Sequence, residues 1–138
     1  MLKTALALFI IAHGLVHAIL AIAPNPTDPN AKPGAFFSAA ERSWLLSQLW
    51  MDAPTIRRIG FLLVGLSTLG FVLTGLGIFG IAGLSILWRT VAIISAGISL
   101  LLLITFWHRW LPIGVLIDVG TLFSLLVIHW PPVDQIGT

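Results

Sequence analysis

The sequence predicts an all-α fold: a polytopic membrane protein built as a four-transmembrane-helix bundle, with a short amphipathic interfacial helix in its first loop. Three observations carry this. The chain is 9% charged and 58% hydrophobic, with a mean hydropathy of +1.06, whereas soluble chains are about 25% charged. Four apolar stretches reach the roughly 20 residues that a helix needs to cross a bilayer. Prolines, glycines and tryptophans fall at the ends of those stretches. At 138 residues the chain makes a single membrane domain. A soluble domain of that size would leave too much apolar area in water.

The first span runs from about 2 to 23, interrupted only by Lys3, His13 and His17. Pro24, Pro26 and Pro29 end it, since proline cannot continue the helical hydrogen-bond ladder. Lys3, the apolar run and Ala21-Ile22-Ala23 also resemble a signal peptide with its cleavage site. The run exceeds the usual apolar region of such peptides, and Pro24 would follow the cut directly, so the segment is expected to be retained as a span. The loop from Pro24 to Arg58 opens with the turn-rich stretch PNPTDPNAKPG. Ser38 and Glu41 then form a capping box ahead of Trp44, Leu45, Leu49 and Trp50 at helical spacing. This predicts an interfacial helix over about 39–50. Asp52 and Pro54 suit the start of the next helix.

The second span, about 59–79, carries no charge. Gly77, Gly80 and Gly83 make the turn to the third, about 84–106, which contains Arg89. Trp107-His108-Arg109-Trp110 and Pro112 mark the turn to the fourth, about 111–129, which contains Asp118. Trp88, Trp107, Trp110 and Trp130 fall near span ends, as an aromatic interfacial belt requires. The expected location is the cell inner (cytoplasmic) membrane. Lys32, Arg42, Arg57, Arg58 and Arg109 lie on the long-loop side, against Lys3 and Arg89 on the other. The positive-inside rule therefore places the long first loop in the cytoplasm and both termini outside.

Composition also excludes functions. Seven Lys and Arg against five acids give a net charge of +2 and no basic stripe, so nucleic acid is not a partner. There is no cysteine, which removes disulfides, thiolate metal sites and cysteine nucleophiles. The expected partners are the lipid bilayer and other membrane subunits or further copies of the chain.

Helix packing in lipid relies on small residues and interhelical hydrogen bonds. Ser85, Ala92, Ser95, Ala96 and Ser99 form a small-residue stripe on the third span, with Arg89 on the same face. Gly60, Gly65, Gly70, Gly75 and Gly80 recur every five residues on the second. Each step of five rotates by about 140°, so these glycines do not share a face.

Ionisable groups inside spans are costly and face the protein interior. From the long-loop side, His13 lies about ten residues deep, Asp118 about eight and His17 about six, one layer at the helical rise. Arg89 and His129 lie nearer the terminal side, so an Arg89–Asp118 ion pair is not expected. Arg89 reads as a snorkelling or packing residue, or one that meets an anionic lipid or a partner carboxylate. His108 and His129 read as interfacial anchors. His13 and His17 are four residues apart and share a helical face. With Asp118 as third ligand, or as the acceptor that orients one histidine, they could hold a metal. One imidazole could ligate a haem or a (bacterio)chlorophyll, or the pair could carry protons with Asp118. The plainer alternative is that both imidazoles hydrogen-bond across helices to Ser, Thr or Asp118, with Gly14 letting a neighbouring helix approach. His-x-x-x-His without the intervening Glu lacks the base of a zinc protease.

The stretch FIIAHGLVHAIL resembles the opening of small bacterial four-helix integral membrane proteins with an H-G-x-x-H-like core in the first span. Trp44 in the first loop and Arg57-Arg58 before the second span match that pattern. The resemblance implies the fold and transfers no catalytic residue. The leading expectation for function is a small non-enzymatic integral membrane subunit packing within a larger membrane assembly, bioenergetic or photosynthetic in kind. The alternatives are a haem, chlorophyll or divalent-metal binder through His13 and His17, and a small oligomeric proton-coupled transporter using His13, His17 and Asp118. A lipid-directed enzyme ranks last, for want of a visible nucleophile and base.

Overall fold

The computed structural model describes residues 1–23, 43–81, 83–107 and 111–132. Those residues are helical with short connections: α1 (Leu2–Ile22), α2 (Trp44–Gln48), α3 (Ala53–Phe79), α4 (Leu84–Thr105) and α5 (Pro112–Phe123), the last continued by a π-helical turn, Ser124–Ile128. Three helices, α1, α3 and α4, are long and apolar enough to cross a membrane. The fourth apolar segment, Pro112–Ile128, has 17 residues or fewer.

Local sequence explains the ends. Pro54 sits in the first turn of α3, where its missing N–H costs nothing. Hydrogen bonding from Thr55 holds the exposed Asp52 carboxyl just ahead of it below the usual carboxylate range. The helix thereby starts six residues before the expected span and carries Arg57 and Arg58 in its first turns. Gly80 ends it at φ 93°, a left-handed conformation that suits glycine. Its N–H bonds to Gly77 O and that of Ile81 to Leu76 O, which satisfies two orphan carbonyls.

Of the expected 39–50 helix the described residues show α2, Trp44–Gln48, while residues 39–42, with Ser38 and Glu41 of the expected capping box, lie outside them. Its N-cap is Ser43, whose Oγ accepts from Leu46 N at 3.1 Å and donates to Thr105 O at 3.1 Å. Trp44 Nε1 donates to Ile104 O at 2.7 Å. The segment thus caps the last carbonyls of α4 while Trp44 and Trp50 stay exposed.

Helix α3 packs on both α1 and α4, α5 packs on α4, and α1 makes little contact with α5. The small residues lie where backbones approach. A Cβ on Gly14 would sit 2.7 Å from Phe71 Cβ, and Thr68 Oγ1 donates to Gly14 O across the same α1–α3 contact. On α4, Ala92, Ser95, Ala96 and Ser99 are buried as the stripe predicts. Trp88 departs from the expected belt: it is 2% exposed and packs with Ala92, Ile78 and Phe71 in the core. Trp107 and Trp130 are exposed, while Trp110 lies outside the described residues.

Two apolar clusters fill the interior. One, toward the long loop, includes Ala21, Leu46, Ile56, Val64, Leu102 and Phe106. The other, toward the termini, includes Ala7, Ile10, Phe71, Ile78, Trp88 and Ala92. On α1, α4 and α5 a buried polar layer separates them: His13 and His17, Ser99, and Asp118.

Candidate functional site: a buried histidine–aspartate–serine layer

Each member of the layer comes from a position that its helix turns inward. His13 and His17 follow Ala7 and Ile10 along the buried face of α1, and Ser99 continues the buried stripe of α4. Asp118 is the one buried residue of α5. His13 Nε2 lies 2.9 Å from Asp118 Oδ1. Ser99 Oγ lies 2.5 Å from Asp118 Oδ2 and 2.8 Å from His17 Nε2. His17 Nδ1 lies 3.0 Å from His13 O, one turn back on its own helix. The imidazoles meet edge-on at 5.0 Å between centroids, and Phe71 of α3 packs edge-on against His13 at 4.9 Å. Side chains from three helices make the polar layer, and the fourth covers it with an aromatic ring.

The carbonyl of His13 can only accept, so His17 Nδ1 must carry a hydrogen and donate. A neutral His17 therefore presents a bare Nε2 lone pair to the interior. Ser99 has one proton and two neighbours that can take it. If it donates to an ionised Asp118, His17 Nε2 must donate to Ser99 and the imidazole is cationic. If it donates to His17, the proton on the carboxyl side must come from Asp118. Both arrangements have the same total charge, and they differ by a proton passed through the Ser99 hydroxyl. In a third arrangement that proton would be absent, and the lone pair of His17, a nitrogen of His13 and the carboxylate would be free to hold a cation. One ligand-type atom from each of these three residues lies within 4.8 Å of the others, all three residues buried.

The expected layer of His13, His17 and Asp118 is brought together, with Asp118 directly on His13. The sequence puts Ser99 in the small-residue packing stripe and offers serine as one class of cross-helix partner for the imidazoles, without singling Ser99 out. Its depth held the missing signal: it lies about six residues from the long-loop end of α4, level with His17 and Asp118 at the same rise. Ser99 and His17 also stand as a serine nucleophile stands to its base, a pairing not visible from the sequence. Ser99 is 0% exposed, however, and Asp118 shares its hydroxyl. The residues outside the layer separate from it. Arg89 donates to Leu125 O, a carbonyl of the π-helical turn. His129 is exposed, with Nδ1 3.0 Å from Val127 O, and His108 lies outside the described residues.

No protein family, curated protein or solved structure matches the chain.

Proposed function

We propose that this chain is a four-span, non-enzymatic integral membrane protein that binds a divalent transition-metal ion through His13, His17 and Asp118. The observation that carries it is the bond from His17 Nδ1 to His13 O at 3.0 Å. Metal-ligating histidines donate their second nitrogen to a carbonyl or carboxylate in this way, which fixes the tautomer and aims the other lone pair at the ion. Two histidines and a carboxylate that leave further coordination positions open suit Zn²⁺, Fe²⁺ or Mn²⁺. Ser99 would orient Asp118. A haem or a chlorophyll has less support, because the inward imidazole nitrogens already meet α4 and α5 side chains, and a macrocycle would have to part those helices.

The fourth span is Pro112–Ile128 in this proposal, with the long loop cytoplasmic, α2 at the interface and both termini outside. A place within a larger assembly rests on the small size of the chain; the exposed apolar side chains of α5, such as Ile113, Val119 and Phe123, suit lipid or another helix alike. The carrier alternative rests on the same layer in its proton-sharing form.

The test is metal content and Co²⁺ absorption of the protein purified in lipid nanodiscs. About one ion per chain is expected, with His17→Ala and Asp118→Asn each weakening Co²⁺ binding at least tenfold. A wild-type protein that takes up no Co²⁺, or variants that bind it unchanged, would overturn the metal site and leave the proton-sharing form.

A further inference from the structure

A second feature lies on the terminal side of the polar layer. Because the backbones of α1 and α5 stay apart and their side chains meet at His13 and Asp118, a cavity of about 270 Å³ remains between the two helices on the terminal side, backed by α3 and α4. Its inner end is lined by Ile10, Thr74 and Ile117, and its outer end by Trp130 and Pro131. Enclosed apolar cavities of about 150 Å³ stay dry and take up benzene; this one is larger and open at one side, with room for a longer apolar group. Phe9 and Leu116 line it while 51% and 71% exposed. In a bilayer those faces meet lipid, so the opening faces hydrocarbon and not water.

Among the described residues, a charge stands beside this cavity. Arg89 is partly buried inside the apolar third span and is tied to the carbonyl of Leu125, itself a lining residue. That bond uses one of the five donors of a guanidinium, a group whose fork matches phosphate oxygens. A cation at such a depth requires a counter-charge or a route to the interface.

We propose that the cavity and Arg89 together form a binding site for one anionic phospholipid, with an acyl chain between α1 and α5 and its phosphate on Arg89. This goes beyond the metal reading and does not depend on it. The chain enters from the side that Phe9 and Leu116 leave open, and the headgroup stays at the level of Trp130, where an aromatic ring meets the interface.

Native mass spectrometry of the full chain, titrated with phosphatidylglycerol or phosphatidylcholine, tests it. The expected result is one tightly held phosphatidylglycerol per chain, preferred at least fivefold over phosphatidylcholine. Arg89→Gln keeps a donor for Leu125 O and should abolish the preference while retaining some lipid. Gly120→Phe should remove the tight lipid altogether, since Gly120 lines the cavity and an added Cβ there meets nothing within 4 Å. Circular dichroism melting checks that both variants fold. If Gly120→Phe is folded and keeps the lipid, the cavity is not the site. If Arg89→Gln keeps the preference, the phosphate does not sit there. Should either variant fail to fold, Thr121→Phe and Arg89→Lys replace it, with the plugged cavity again expected to lose the lipid and the lysine to keep the preference; the reverse results overturn the proposal.

Discussion

Ser99 holds a single hydroxyl proton, yet its oxygen lies within hydrogen-bonding distance of both His17 Nε2 and Asp118 Oδ2. Removing it leaves two inward-facing polar atoms without that partner, both of them on ionisable groups. An unsatisfied buried group costs about 1–3 kcal/mol in soluble proteins. Interhelical hydrogen bonds in membranes average about 0.6 kcal/mol and reach about 1.7 kcal/mol. Ser99→Ala should therefore sit at the upper end, about 1–2 kcal/mol less stable in mixed-micelle unfolding, with Ser99→Thr recovering most of the loss. Ser95 provides the contrast: its hydroxyl bonds only to Val91 O on its own helix. Ser95→Ala should cost less than about 0.5 kcal/mol, because that local bond adds little to helix stability. The two serines look alike in the sequence, both on one small-residue stripe, and only what faces them from α1 and α5 separates them. The histidines and Asp118 stand out in the sequence because an ionisable group inside a span is costly and must face inward, whereas Ser99, although at the same depth, has nothing that marks it among the other small residues of its stripe.

At the scale of elements, the same distinction governs the glycines. Their five-residue spacing on α3 could not define one packing face, and the structure shows the reason: a Cβ on Gly70 would meet Ser95 of α4, one on Gly75 would meet Ile11 of α1, and one on Gly65 meets nothing within 4 Å. α3 packs on α1 at one side and α4 at the other, so its small residues are divided between two neighbours. Gly14 on α1 was legible because it lies between two inward histidines. It is the α1–α3 contact point, and a methyl group there would sit 2.7 Å from Phe71 Cβ and 3.2 Å from Thr68 O. Neither of those atoms is the free end of a flexible side chain, so the helices must part. Gly14→Ala should destabilise the protein by about 1–3 kcal/mol, the usual cost of overpacking, and shift the imidazoles that flank it. Gly97→Ala on α4, with nothing within 4 Å, should be neutral or stabilise by about 0.5–1 kcal/mol through reduced backbone entropy. Thermal melts of the two variants in one detergent compare them directly. Trp88 is the opposite case: hydropathy placed it at a span end, but it lies on the buried face with Ala92, which a belt argument based on position alone does not see.

For the whole molecule, the open quantity is how many times the chain crosses. Hydropathy made α1, α3 and α4 plain, because each exceeds the thickness of the hydrocarbon core. The last segment is harder, since 17 residues rise only about 25 Å against a core of about 30 Å. A bilayer accommodates such a shortfall by local thinning, at fractions of a kcal/mol per Å. Two interactions favour a full crossing over a re-entrant path. Asp118 reaches the layer of His13 halfway along the segment, and Arg89 satisfies Leu125 O near its far end, where an unpaired carbonyl in hydrocarbon would be expensive. With no native cysteine, single-cysteine variants report the topology cleanly. Met51→Cys and Trp107→Cys should share one labelling pattern toward a membrane-impermeant maleimide on intact cells. Ile81→Cys and Pro132→Cys should share the other, reacting from outside if the termini are external. The decisive comparison is Pro132 against Trp107, because these two residues flank only the last segment. Opposite accessibility means four crossings, whereas equal accessibility would return Pro112–Ile128 to the side it started from and reduce the count to three.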